Sequence, residues 1–247
     1  MIVADPRNPT AQRFHEALHE VLPEGVSDLC VVIGGDGFML HTIAEHGLDQ
    51  TYLGLNAGRV GFLLNDVADW GRVADWLRAR AWTTTAFPLL RATITDAHGV
   101  VHTTTALNDV VIERITGQTA HLRMLIDGVS VVETLVCDGV IFATALGSTA
   151  YTFSAGGPAC HPTLRTMVVT AICPHKPRLS PFLLPKSVTA RLEVLGSEKR
   201  PVRAVCDGQM VDDVQTVEVA LGPSVAQIAW LPGHDFTATM VAKILRG

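Results

Sequence analysis

Leu29-Cys30-Val31-Val32-Ile33-Gly34-Gly35-Asp36-Gly37 is an apolar run that passes directly into glycines with one carboxylate set among them. The uninterrupted, β-branched part reads as a fully buried strand of a parallel sheet. In open α/β sheets ligands bind outside the carboxyl ends of the strands, and Asp36 stands at such an end. Backbone N–H groups of a glycine-rich turn can meet phosphate there, while the carboxylate supplies a charged oxygen for a proton or a cation. The stretch therefore predicts phosphate handling.

Working outward, the period of the chain changes once. From Met1 to about Arg80 strands alternate with helices. Strands are expected at Ile2–Ala4, at Leu29 and at Tyr52–Leu55; helices from about Thr10, through Phe38 to Ile43, and over Val67, Trp70, Val73, Ala74 and Leu77. Such alternation predicts a small parallel α/β domain. After Trp82 the pattern becomes strands and tight turns, including a hairpin at Asp127-Gly128 between alternating strands. The expected organisation is an α/β domain over 1–84, a β-rich, sandwich-like domain over 85–230, and a segment over 231–247 that returns to the first domain. Separate strands are expected at Thr216–Ala220 and Ala226–Trp230, and Gly139–Leu164, rich in Gly, Pro, Ser and Thr, reads as a functional loop region.

Composition excludes several classes. A net charge of −5 spread without blocks gives no footprint for nucleic acid or an anionic membrane. Glycines and prolines break the longest uncharged stretch, so it does not predict a membrane span. No basic segment followed by an apolar one opens the sequence, which argues against secretion. The five cysteines show no paired spacing and are odd in number, as expected of reduced thiols in a cytoplasmic protein.

Two patterns compete with the phosphate reading. His15-Glu16-Ala17-Leu18-His19 matches the H-E-x-x-H of zinc proteases, yet the histidines flank a stripe of Phe14, Leu18 and Val21, and no third ligand presents itself. The Gly-Gly-Asp-Gly turn taken alone is equally a tight turn whose Asp caps the following helix. Walker A and G-x-G-x-x-G sequences are absent.

Further segments lend weight to phosphate. They are Gly54-Leu55-Asn56-Ala57-Gly58-Arg59-Val60-Gly61-Phe62-Leu63, Leu107-Asn108-Asp109-Val110, Cys137-Asp138-Gly139-Val140-Ile141, Leu146-Gly147-Ser148-Thr149-Ala150-Tyr151 and Cys206-Asp207-Gly208-Gln209. In this order, over nearly the whole chain, they resemble the NAD kinase family. That resemblance implies an α/β domain followed by a β-rich domain, with the nucleotide in a crevice between them. It implies transfer of the terminal phosphoryl group of ATP, or of polyphosphate, to the adenosine ribose 2′-hydroxyl of NAD, giving NADP. Mg2+ or another divalent cation is expected with the donor.

By the same resemblance Asp36 is the general base or orients the 2′-hydroxyl and helps hold the cation, and Gly34, Gly35 and Gly37 let backbone approach phosphate. Asn108 and Asp109 look like the pair that hydrogen-bonds the adenosine. Phe62 and Tyr151 would pack about the adenine, with Thr149 and Ala150 completing the wall; taken singly on the bare sequence, either ring reads better as an ordinary core aromatic. Ser154 lies in the same pocket. Asp138 resembles the carboxylate that reaches the nicotinamide end from a neighbouring subunit, which implies a homodimer or homotetramer. Asp207 and Gln209 fall in a segment that closes the site.

Four features depart from the family pattern. Phe38 stands where Thr is usual, Asp109 where Glu is usual, Leu146 replaces a small hydroxyl residue, and a single helix separates the first two strands. Diacylglycerol and sphingosine kinase-like enzymes share the Gly-Gly-Asp-Gly turn but give no reason for the Asn108-Asp109 and Gly147–Tyr151 segments. A non-catalytic dinucleotide-binding module gives no reason for Asp36.

Overall fold

The buried run at Leu29 is the second strand of a computed structural model that describes residues 1–22, 26–58, 61–67 and 69–246. Arg59 and Val60 of the second glycine-rich loop, and the Leu245 side chain, lie outside the described residues. Two compact units divide the chain: Met1–Phe87 with Val225–Gly247, and Pro88–Ser224.

The chain begins with β1 (Ile2–Ala4), α1 (Pro9–Val21), β2 (Leu29–Gly34), α2 (Asp36–His46), β3 (Thr51–Asn56), β4 (Leu64–Asn65), α3 (Trp70–Arg78) and β5 (Thr83–Asp96). There follow β6 (Val101–Ala106), β7 (Asp109–Arg114), β8 (Ala120–Ile126), β9 (Val129–Cys137), β10 (Gly139–Thr144) and, after a 3-10 turn over Gly147–Thr149, α4 (Tyr151–Ser154). The rest is β11 (Thr166–Ile172), β12 (Phe182–Pro185), β13 (Thr189–Val194), β14 (Val202–Cys206), β15 (Gln209–Val211), β16 (Val214–Trp230) and α5 (Phe236–Arg246).

In the first unit β1, β2 and β3 are parallel, β4 runs parallel to the end of β3, and Gln227 and Ile228 of β16 pair in parallel with Thr51 and Tyr52. Every residue of β2 is buried, as its unbroken apolar run requires. Val31, Ile33, Leu53 and Leu55 pack with Leu18, Val73, Leu77, Ala229 and Leu231. Phe14 stacks on Trp70 at 3.5 Å between ring centres. Asn8 caps α1, its side chain accepting from Thr10 and Ala11, and Asp69 caps α3. The buried Asn65 amide donates to the carbonyls of Gly54 and Ala229 and accepts from Leu231 N, so one side chain ties the ends of β3 and β16. Phe236 of α5 meets Phe87 and Trp230 edge to face, which brings the chain end onto the first unit.

The second unit is antiparallel. β13 lies between β16 and β8, β8 pairs with β9, and β5 pairs with β6. A six-stranded sheet runs β12-β11-β10-β7-β14-β15. One hydrophobic cluster draws Leu122, Met124, Leu192 and Val217 from the first set and Val110, Ile112, Val140, Phe142 and Val169 from the other, so the unit is a sandwich.

Two expectations are corrected. Gly139–Leu164 does not form one loop region: its first six residues are β10, buried throughout, paired with β7 on one side and β11 on the other. Both faces of β10 are covered. Val140 and Phe142 face the sandwich core, while Ile141 and Ala143 pack with Ala145, Cys160 and Val168 from the segment that follows. The strands expected at Thr216–Ala220 and Ala226–Trp230 are one 17-residue strand. Gly222-Pro223 falls between the antiparallel ladder with β13 and the parallel ladder with β3, so neither of those ladders needs the N–H that proline lacks. The short strands β4, β12 and β15 carry too few residues to show a period in sequence.

Candidate functional site

In the first unit the glycine-rich turn joins β2 to α2. Gly34 ends the strand, Gly35 is the helix N-cap, and no side chain caps this helix, unlike α1 and α3. Asp36 is the first helical residue, so the reading in which it caps its own helix is set aside. Its carboxylate reaches across to the second glycine-rich loop. Oδ2 accepts from Phe62 N at 2.7 Å and Oδ1 from Leu63 N at 2.9 Å. Gly61 lies directly against it: a Cβ there would stand 2.5 Å from Asp36 Oδ1. One acid thus organises two loops at one sheet edge. The half-buried Phe62 is held there through its backbone.

The three glycines of the turn differ. A Cβ on Gly34 would stand 2.9 Å from Phe38 Cδ1, so the ring that replaces the usual Thr lies on the strand end. A Cβ on Gly35 or Gly37 would meet nothing within 4 Å. Neither packing nor a positive φ demands glycine at these two positions, which leaves space over exposed backbone.

The second unit gathers Asn108, Asp109, Gln209 and the Gly147–Tyr151 segment about the turn that enters β7, whereas Asp138 lies at the other end of that strand, beside Arg114. Asp207, in the left-handed region at φ 44°, directs its carboxylate at this turn and accepts from Leu107 N at 2.5 Å, Asn108 N at 3.1 Å and Asp109 N at 3.2 Å. Thr144, at the end of β10, donates to Leu107 O at 2.6 Å and accepts from Gly147 N at 2.9 Å. A side chain on Gly147 would run into the Asn108 carbonyl. Asn108-Asp109 and Gly147–Tyr151 are thereby built into one piece. Thr149 and Ala150 are half-buried, Tyr151 is 43% exposed at the start of α4, and Ser154 is exposed at its end. Leu146 is buried in front of the 3-10 turn. Gln209 is exposed, its Oε1 accepting from Thr104 Oγ1 at 3.3 Å.

Electrostatics single out the carboxylates. Burial first, and the Asp207 charge second, push the Asp109 carboxyl up to about 7. Asp207 is also raised by burial, against which its backbone N–H partners act. The Tyr151 phenol is raised by partial burial and by Glu113, Cys173, Asp138 and Asp109 around it. Asp138 forms an ion pair with Arg114, Nε to Oδ1 at 2.8 Å, and its backbone carbonyl accepts Arg114 N.

Thr144, Ser148 and Arg114 were not marked in the sequence as site-building residues. Ser148 is fully buried, donates to Ala145 O and accepts from Cys160 N. A single hydroxyl at the end of a buried strand is the only local sign such wiring leaves. His15 and His19 stack with ring centres 5.9 Å apart on α1. Among the described residues no three His, Cys, Asp or Glu side chains are grouped to hold a metal.

Comparison with known proteins decides the family. The chain is 39% identical over 250 aligned positions to an NAD kinase of Cereibacter sphaeroides, an alignment that covers 98% of this chain and 96% of that one. The chain belongs to the NAD kinase family. The NAD kinase of Rhizobium meliloti is 36% identical over 88% of this chain and 84% of its own. Residues 107–229 match the model of the ATP-NAD kinase C-terminal domain. Among solved structures, yeast NADH kinase complexed with NADH aligns over 99% of this chain and 86% of its own, with a TM-score of 0.87 at 22% identity. An Archaeoglobus fulgidus NAD kinase in complex with ATP aligns over 99% and 98%, with a TM-score of 0.79 at 21% identity. These two show the common fold. The chain is an NAD kinase-family phosphotransferase, and relatedness over nearly its full length sets aside the lipid-kinase and binding-module readings. Among the described residues no helix is long and apolar enough to cross a membrane.

Proposed function

We propose that this NAD kinase takes the 2′-hydroxyl proton of the adenosine ribose onto Asp36 as the hydroxyl oxygen attacks the terminal phosphorus of ATP. The O–P bond to the leaving ADP breaks as the new one forms, and inorganic polyphosphate is a second donor of the same chemistry. The observation that carries the reading is the geometry of Asp36. Two backbone N–H groups fix both carboxylate oxygens, and each oxygen keeps a further lone pair for a hydroxyl or a cation. A pinned base needs little reorganisation when charge moves.

A divalent cation fits the donors present. Mg2+ is characteristically held by one or two carboxylates together with substrate phosphates and water, and Asp36 is the carboxylate beside the open backbone of Gly35 and Gly37. Such a cation would neutralise phosphate charge. Phosphate itself would rest on the backbone of the uncapped α2 terminus.

For the acceptor, Asn108 and Asp109 bind the adenosine, with Thr149, Ala150, Tyr151 and Ser154 of the same unit about it. Asp207 acts through backbone, holding the Asn108-Asp109 turn, and Gln209 flanks it. Asp138, oriented by Arg114, serves the nicotinamide end of a neighbouring subunit in a homodimer or homotetramer. Five unpaired cysteines suit the cytoplasm.

Asp36→Asn tests the reading. NADP formation from NAD, ATP and Mg2+ is expected to fall about 10²- to 10⁴-fold in kcat with a folded protein by circular dichroism. Turnover within about ten-fold of the parent would remove Asp36 from proton transfer.

A further inference from the structure

The loops that leave β1, β2 and β3 converge at one sheet edge of the first unit. Asp5 N donates to Ile33 O at 2.9 Å, Ala57 N to Gly34 O at 3.1 Å, and Asn8 Nδ2 to Ala57 O at 3.3 Å. Carboxylates crowd this edge: Asp5 in the first loop, Asp36 after the second, and Asp66, which accepts from Asn56 Nδ2 at the end of β3. A phosphoryl donor carries several negative charges of its own, so a cation is needed nearby. Among the described residues of these three loops, Arg7 is the one Lys or Arg.

Arg7 is poised for that task. Its side chain is 84% exposed, and its one ion pair among the described residues is with the Asp5 carboxylate, Nε to Oδ1 at 3.3 Å. An exposed pair of this kind holds weakly, so a phosphate can replace it at small cost. The loop itself is firm: Arg7 N donates to Asp5 Oδ1, Asn8 N to Asp5 O, and the Asn8 side chain caps α1. The neighbouring turn presents the uncapped start of α2 and, at Gly35 and Gly37, space that packing does not require. A guanidinium is the side chain whose fork matches two phosphate oxygens.

We propose that Arg7 is the clamp of the phosphoryl donor, closing its guanidinium on the phosphate chain seated at the start of α2 and so setting donor affinity and not acceptor affinity. The proposal rests on the phosphotransfer reading above and adds the residue that recognises the donor chain. The group it recognises is the oligophosphate common to ATP and inorganic polyphosphate.

The test uses the full chain with Arg7→Gln, Arg7→Lys and, at the far end of α3, Arg78→Gln as a control. Donor and acceptor are varied separately in steady-state assays, and inorganic tripolyphosphate is titrated calorimetrically without turnover. Removing one charge-assisted contact in Arg7→Gln is expected to raise both the KM for ATP and the Kd for tripolyphosphate roughly 10- to 100-fold. The KM for NAD and the urea midpoint should hold, Arg7→Lys should fall between, and Arg78→Gln should match the parent. Donor constants within about two-fold of the parent in Arg7→Gln, or an equal rise in the KM for NAD, would overturn the clamp. A parent that forms no NADP would defeat the phosphotransfer reading instead. The titration then still decides Arg7, since tripolyphosphate binding that is absent from the parent or unchanged in Arg7→Gln rejects it.

Discussion

Asp207 Oδ1 accepts the backbone N–H of Asp109 at 3.2 Å, so the residue that fixes this backbone also places its charge beside the Asp109 carboxyl. Burial and that charge hold Asp109 protonated up to about 7, whereas in the unfolded chain it titrates near ~3.9. Between these values the folded state binds more protons than the unfolded state. Stability therefore falls as pH rises through that window and levels off above about 7. Asp109→Asn removes the titrating group and is expected to flatten this slope and to gain stability most at pH 8. Urea denaturation at pH 5 and pH 8 checks it; an unchanged slope would place the titration elsewhere.

Gly61 is expected to tolerate no side chain. In Gly61→Ala the new methyl would press on Asp36 Oδ1 and on Leu64 Cδ1, 2.5 and 2.6 Å from the Cβ position. Displacing the acid breaks its bonds to Phe62 and Leu63, and overpacking of this order costs about 1–3 kcal/mol. The outcome is a lower urea midpoint together with reduced kcat. Loss of stability with full kcat would show that Asp36 works equally well when displaced.

Asn108→Ala is expected to weaken NAD binding by on the order of 1–3 kcal/mol, because the ligand groups it is proposed to pair would be left without a partner. Gly147→Ala should weaken NAD through a different route, by driving the Asn108 carbonyl out of place. Calorimetric titration with NAD measures both. Wild-type affinity in the two variants would remove the Asn108 turn from the acceptor site, and the KM for ATP should change in neither.

Asp138 and Asp36 are proposed to serve one site from different subunits. Co-refolded mixtures of Asp36→Asn and Asp138→Ala chains should then regain activity that neither has alone, and light scattering should show an oligomer at assay concentration. An active monomer, or mixtures that exchange subunits without recovering activity, would reject the shared site.

What the sequence determined by itself was set by local periodicity and by glycine. The short, β-branched apolar run into Gly34-Gly35-Asp36-Gly37 marked a buried strand with a turn at its end, and alternation against 3.6-residue spacing separated the α/β part from the β-rich part. The order of the short motifs indicated the family because each keeps its residues within a few positions of one another. Tertiary structure decided everything that depends on partners distant in the chain. β10 looked like loop because the Gly, Ser and Thr residues after it masked a strand covered on both faces. A 17-residue strand looked like two because Gly222-Pro223 reads as a break in sequence, whereas in the fold the strand runs through it and its two ends pair with different strands, β13 and β3. Asp36, which the turn alone could equally present as a helix cap, is bonded to backbone 26 and 27 residues away, and Asp207, expected only in a segment that closes the site, holds backbone nearly a hundred residues before it. A carboxylate's chemical type is written in the sequence, but its hydrogen-bond partners are chosen by which backbone N–H groups the fold leaves unpaired beside it.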